Sequence, residues 1–197
     1  MKSSIMEFST IAASLVILAG CSDKSPVAPT APAPEANRAL ILPQAQLVDV
    51  VTRNTPLQSS ISRSVSIGLL GGVISIPEAG LRVIVPAGAV LSHTTFTVNA
   101  PAGFAVAYEF GPHGARFLVP LVIEQDLRNT NAYRNTAILG SLEAGYFTDL
   151  NSLSLTALVT EILPVLYDPI TAKARFTVGH FSGYLVASGR TAPAEVQ

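Results

Sequence analysis

The chain has 197 residues, of which 49% are hydrophobic and 13% charged, with a net charge of −1 and a single cysteine. Ample apolar material for a core excludes wholesale disorder, and the lack of any block of like charges argues against a nucleic-acid groove or a basic membrane-surface helix. The length suits one domain of ordinary size, or two small ones.

The N-terminus reads as a targeting signal over residues 1–20. Lys2 supplies a thin positive region, and Glu7 departs from the ideal. From Ile11 to Leu18 the chain runs IAASLVIL, too short to span a bilayer and bounded by small residues, as in the apolar core of a signal peptide. It ends in Leu18-Ala19-Gly20-Cys21, which resembles the lipobox of bacterial lipoproteins. The resemblance implies cleavage before Cys21 and diacylation of its thiol, so the only prosthetic group expected is a covalent lipid. Two or three acyl chains hold firmly where one does not, at about 0.8 kcal/mol for each buried CH₂. A secretory signal that merely ends near a cysteine is the plainer alternative. Cys21, however, is the only cysteine, and lipidation removes the liability of a free thiol in an exported chain. The expected location is the envelope, anchored to a membrane. Ser22, where aspartate often signals inner-membrane retention, weakly favours the outer membrane of a Gram-negative cell.

Residues 21–38 form the lipidated cysteine and a tether, in which Pro26, Pro29, Pro32 and Pro34 recur among Ala, Ser and Thr. Such spacing predicts an extended, partly polyproline II spacer rather than a recognition ligand. Residues 39–63 are a lead-in, read equally as an N-terminal strand or a loose segment.

From residue 64 to 190 the grammar is that of strands and turns, with Val, Ile, Thr, Phe and Leu runs punctuated by Gly, Pro, Asn and Asp. Expected strands cover 65–69, 73–76, 81–85, 95–99, 104–110, 117–124, 137–147, 158–166, 175–178 and 182–187. In Leu81-Arg82-Val83-Ile84-Val85, the residues Leu81, Val83 and Val85 share a face. Pro77-Glu78-Ala79-Gly80 and Asp168-Pro169-Ile170-Thr171 predict turns. Only 150–162 competes as a helix, and Pro164 interrupts it. Ten short strands predict an all-β domain, a β-sandwich or an open barrel. Residues 191–197 are expected to be a disordered tail.

Two ordered motifs carry a resemblance. Gly71-Gly72-Val-Ile-Ser-Ile-Pro with Leu81-Arg-Val-Ile-Val-Pro86-Ala-Gly88-Ala89-Val90 resembles the opening of a ZU-five domain, the module of zona occludens scaffolds, Unc-five-type netrin receptors and ankyrins. Phe110-Gly111-Pro112-His113-Gly114-Ala-Arg-Phe117-Leu-Val-Pro120 resembles that family's Gly-Pro-x-Gly turn and the strand after it. The resemblance covers about 65–187. It implies a single β-sandwich that contacts a protein partner of unknown identity, without catalysis and without a small-molecule cofactor.

The most chemical stretch is His180-Phe181-Ser182. In a few proteins of that family, and in a self-cleaving nucleoporin, the same tripeptide is an autoproteolysis site. The resemblance implies attack of Ser182 on the Phe181 carbonyl, an N-to-O acyl shift, and hydrolysis of the ester, with His180 moving the proton. Beside it stands the packing alternative. In a strand, His180 and Ser182 share one face, while Phe181 packs with Leu185 on the other. Elsewhere the chemistry is thin. His93, His113 and His180 lack metal-ligand spacing, no calcium loop, nucleophile elbow or phosphate loop is present, and no carboxylate pair stands out. A carbohydrate platform would need Tyr108, Tyr133, Tyr146 and Tyr167 to converge on one exposed face, since there is no tryptophan.

Overall fold

The computed structural model describes residues 45–150 and 153–190. The signal segment, Leu18-Ala19-Gly20-Cys21, the proline tether and the tail at 191–197 lie outside the described residues. Within them the strands are β1 (Gln46–Val50), β2 (Thr52–Leu57), β3 (Ile61–Ile67), β4 (Gly72–Ile76), β5 (Leu81–Val85), β6 (Thr94–Ala100), β7 (Gly103–Ala105) and β8 (Ala107–Gly111). They continue with β9 (Arg116–Asp126), β10 (Glu143–Phe147), β11 (Thr156–Val159), β12 (Glu161–Pro164), β13 (Leu166–Asp168), β14 (Lys173–His180) and β15 (Gly183–Arg190). A single helical turn, α1 (Thr136–Leu139), stands between β9 and β10. The fold is all-β.

Two antiparallel sheets face each other. The first runs β13-β14-β9-β5-β4 and the second β11-β1-β15-β8-β6-β3, with β10 and β12 joined to it through β15. Strict alternation decides which side chains enter the core between them. On β5, Leu81, Val83 and Val85 are buried while Arg82 is exposed; on β14, Ala174, Phe176 and Val178 are buried while Arg175 and Thr177 are exposed. The facing sheet contributes Phe96, Val98, Tyr108, Phe110, Tyr184 and Val186 to the same apolar cluster. Each such side chain stabilises by roughly 1.5–3 kcal/mol on leaving water, so the two faces are bound as one body.

A second, smaller core lies behind the second sheet. Strand β15 pairs with β8 and β1 along one edge and with β10 along the other. In turn β10 pairs with β12, and β11 pairs with β1. Only Thr160 separates β11 from β12, and its N–H donates to the Tyr146 carbonyl at 3.0 Å. The strands β1, β15, β10, β12 and β11 therefore close into a ring. Its interior holds Val48, Val50, Phe147, Ala157, Val159, Leu185 and Ala187. Space inside is tight: a Cβ on Gly145 would stand 2.5 Å from Val159 Cγ1, and one on Gly183 would stand 2.6 Å from the Phe147 ring.

Several expected elements shift for identifiable reasons. The Pro77–Gly80 turn forms as read, closed by the Gly80 N–H donating to Pro77 O at 2.9 Å. The open choice over 39–63 resolves, within its described part, to strands β1 and β2 and the start of β3. The strand expected at 65–69 begins earlier, because Ile61–Ile67 pairs along β6 and the chain then turns at Gly68. The run 104–110 divides into β7 and β8, which pair with different neighbours. The run 137–147 starts as α1, capped by Asn135 Oδ1 accepting from the Ile138 N–H, and only its last five residues are strand. The run 158–166 breaks into parts of three short strands serving both sheets, and among the described residues of 150–162 there is no α-helix.

The tight ring makes a direct prediction. Gly145→Ala and Gly183→Ala should each lower stability by about 1–3 kcal/mol through overpacking against branched or aromatic neighbours. Gly179→Ala, where a Cβ would meet nothing within 4 Å, should change it by less than about 0.5 kcal/mol. Urea unfolding of the three variants checks this, and equal effects would refute the account of the ring.

Candidate functional site

The tripeptide His180-Phe181-Ser182 lies where the chain leaves one sheet for the other. Strand β14 ends at His180 and β15 starts at Gly183, so Phe181 and Ser182 form a two-residue crossing. The crossing corrects the expected facing. Phe181 does not share a face with Leu185: Leu185 lies inside the small ring, whereas Phe181 lies in the sandwich core. A step between sheets resets the two-residue alternation that holds only within one strand.

Phe181 is fully buried and is the hub of an aromatic cluster. Its ring meets Phe117 edge-on at 4.7 Å, Phe96 edge-on at 5.1 Å, and Phe110 stacked at 5.3 Å. Its backbone is also held. The Phe181 N–H donates to Ala115 O at 2.8 Å, the Gly114 N–H donates to Phe181 O at 3.0 Å, and the Phe110 N–H donates to Ser182 O at 2.9 Å. Gly114 is placed by the turn between β8 and β9 and has φ +75°, a left-handed conformation that glycine adopts without steric cost. The carbonyl between Phe181 and Ser182 thus has a fixed hydrogen-bond donor.

His180 is held by other partners. Its Nε2 lies 3.4 Å from Glu161 Oε2, a contact that becomes an ion pair when the ring is protonated. The Tyr184 hydroxyl donates to the His180 carbonyl at 3.0 Å and lies 3.2 Å from Nδ1. The ring also stands edge-on to Tyr146 at 5.5 Å. Burial first, and then the Glu161 carboxylate, raise the Tyr184 pKa, so that hydroxyl stays protonated. No hydrogen bond joins His180 to Ser182 among the described residues. What the site has is a polarised carbonyl and an oriented imidazole, with the imidazole turned to Glu161 and Tyr184.

Two polar clusters escaped the sequence reading. Glu124 is buried on the outward side of β9, where the register sets Arg82 and Arg175 directly opposite it. Arg175 Nε donates to it at 2.7 Å, Arg82 Nη1 at 3.2 Å and Lys173 Nζ at 3.3 Å. Burial opposes ionisation, but these bonds outweigh it and hold the carboxyl below its ordinary value. Glu124 and Asp126 alternate in the sequence, and the signal that joins Glu124 to its bases is strand register. The second cluster is buried around Arg53, whose guanidinium reaches the Ala105 carbonyl and, at 3.2 Å, the Tyr108 hydroxyl. That hydroxyl also lies 2.9 Å from Ala79 O and next to Gln125 Oε1, tying β2, β8 and β9 together.

The remaining candidates disperse. Tyr108 is buried and Tyr167 packs on the sandwich core, so the four tyrosines form no exposed platform. His93 packs its ring against Gly68, and His113 sits in the β8–β9 turn. Among the described residues no group of three or more His, Cys, Asp or Glu is placed to hold a metal ion, and no helix is long and apolar enough to cross a membrane. No protein-family model and no curated protein matches the chain.

Two measurements follow from this geometry. Phe181→Ala should cost about 3–5 kcal/mol by emptying the aromatic hub, whereas Ser182→Ala should cost less than about 1 kcal/mol in denaturant unfolding. Glu124→Gln should flatten the acid limb of the stability profile. A carboxyl with a lowered folded-state pKa stabilises fully above its ordinary value of 4.5 and loses that contribution as pH falls through the lower folded value. Wild type should therefore lose more stability than the variant between neutral pH and pH values below 4.5. Parallel profiles would remove the cluster's assigned role.

Proposed function

We propose that the chain is a lipid-anchored lipoprotein of the cell envelope, whose β-sandwich is a noncatalytic, ZU-five-like module for contact with a protein partner. The anchor rests on Leu18-Ala19-Gly20-Cys21 and on Cys21 being the only cysteine. The observation that carries the noncatalytic reading is the burial of Phe181 among Phe96, Phe110 and Phe117, which gives the tripeptide a packing role complete in itself. The anchor is tested by metabolic labelling with an alkyne fatty acid. The wild-type chain should be labelled and Cys21→Ser should not, and an unlabelled wild type overturns the assignment.

One observation favours a second reading, self-processing at Phe181–Ser182. The Gly114 N–H on Phe181 O is the kind of donor that stabilises charge developing on a carbonyl under attack. In that reaction Ser182 Oγ adds to the Phe181 carbonyl, and the C–N bond breaks as the amine takes a proton relayed by His180. Water then hydrolyses the ester, leaving a carboxylate on Phe181 and a free amine on Ser182. The two readings separate on a denaturing gel with intact-mass measurement. The noncatalytic reading expects one species after days at neutral pH. A fragment of 16 residues beginning at Ser182, abolished by Ser182→Ala, would overturn it.

A further inference from the structure

Three loops meet at one pole of the sandwich. Pairing of Ile67 with Thr94 brings the β3–β4 turn beside the start of β6, and the Gly88 N–H donates to Leu69 O at 2.8 Å. The Leu118 N–H donates to Ala89 O at 3.2 Å, and pairing of Thr97 with Gly111 draws in the β8–β9 turn. Large apolar side chains stand exposed there: in the loops Leu70 is 90% exposed, Leu91 76% and Leu69 55%, and at the start of β9 Leu118 is 69% exposed. The loops at 68–71, 86–93 and 112–115, taken with the first three residues of β9, contain His93, His113 and Arg116 and neither Asp nor Glu. Leucines on separate loops, with Arg116 beside them and no acid within those loops, match a surface with an apolar interior and an anionic skin.

We infer that this leucine-tipped pole docks into the interface of an anionic lipid bilayer. The choice of a bilayer as occupant rests on the proposed acylation of Cys21, which would keep one within reach. The chain enters the fold at the opposite pole, since β1 runs antiparallel to β15, which starts at the leucine pole with Gly183. The 24 residues between Cys21 and Gln46 can extend to about 70 Å. The 11 residues of β9, the longest strand, span about 36 Å. The tether therefore lets the domain lie over and bring its far pole to the membrane that holds the anchor.

The test uses the lipidated full-length chain in phosphatidylglycerol–phosphatidylethanolamine vesicles. An environment-sensitive fluorophore is placed through Leu70→Cys or, as the opposite-pole control, through Ile170→Cys, a position 94% exposed in the β13–β14 turn. The probe at 70 should shift to the blue and be quenched severalfold more by brominated lipid than the probe at 170, and Leu91→Asp should abolish the difference. Equal quenching at the two positions overturns the inference. So does a blue shift at 70 that appears without vesicles and grows with protein concentration, which would mark a second copy as the occupant. The same probes on the Cys21→Ser chain, added to preformed vesicles, read the pole without the anchor. A failure of acylation is thereby distinguished from a failure of docking.

Discussion

Strand β15 has no solvent face over its first five residues, and the rest of the molecule is arranged around that constraint. Gly183, Tyr184, Leu185, Val186 and Ala187 are all buried, with Tyr184 and Val186 in the sandwich core and Leu185 and Ala187 in the ring behind it. A strand buried on both sides must be apolar at successive positions and must find partners on both edges. It finds three: β8 and β1 share one edge and β10 takes the other. Its glycine follows from the same constraint, because the Phe147 ring lies where a Cβ at 183 would be.

The crossing into β15 explains the aromatic hub. A chain passing between sheets in two residues exposes backbone groups at the core's edge, where each unpaired one would carry a desolvation cost of about 1–3 kcal/mol. Strand β8 and the β8–β9 turn supply the partners, with Ala115 O accepting from Phe181, and Gly114 and Phe110 donating to Phe181 and Ser182. The ring at Phe181 then closes the end of the sandwich against three others, in geometries each worth roughly 0.5–1.5 kcal/mol beyond the area they bury. The glycine-proline turn and the tripeptide lie about seventy residues apart in sequence, yet they form one structural joint.

Where a single sheet controls a segment, its sequence was readable. The alternation at Leu81–Val85 and the turn at Pro77–Gly80 are local, period-two features, and both fold as read. Misreadings cluster where one segment serves two partners. The run at 158–166 is apolar apart from Thr160, Glu161 and Pro164, and its pieces pair with β1, β10 and β14 in turn, with the breaks falling beside those residues. Facing at Phe181 failed for the same reason, since alternation has no meaning across a step between sheets. The Glu124 cluster was hidden differently. Its acid and its bases were all visible, but their meeting depends on register among β5, β9 and β14, which composition does not encode.

Packing and chemistry make different demands on the Phe181–Ser182 bond, and the geometry satisfies the first in full. A packing role needs the Phe181 ring buried and its amide and carbonyl paired, and all three conditions are met. A cleavage role needs, in addition, a base on the hydroxyl of Ser182. The imidazole two residues away is committed instead to Glu161 and Tyr184. Releasing it would forfeit contacts that orient β12 against the end of β14. The Gly114 N–H pairs the carbonyl for packing and also meets one demand of cleavage. The distinguishing feature is the side to which His180 turns, and that side is set by Glu161 and Tyr184 rather than by the tripeptide.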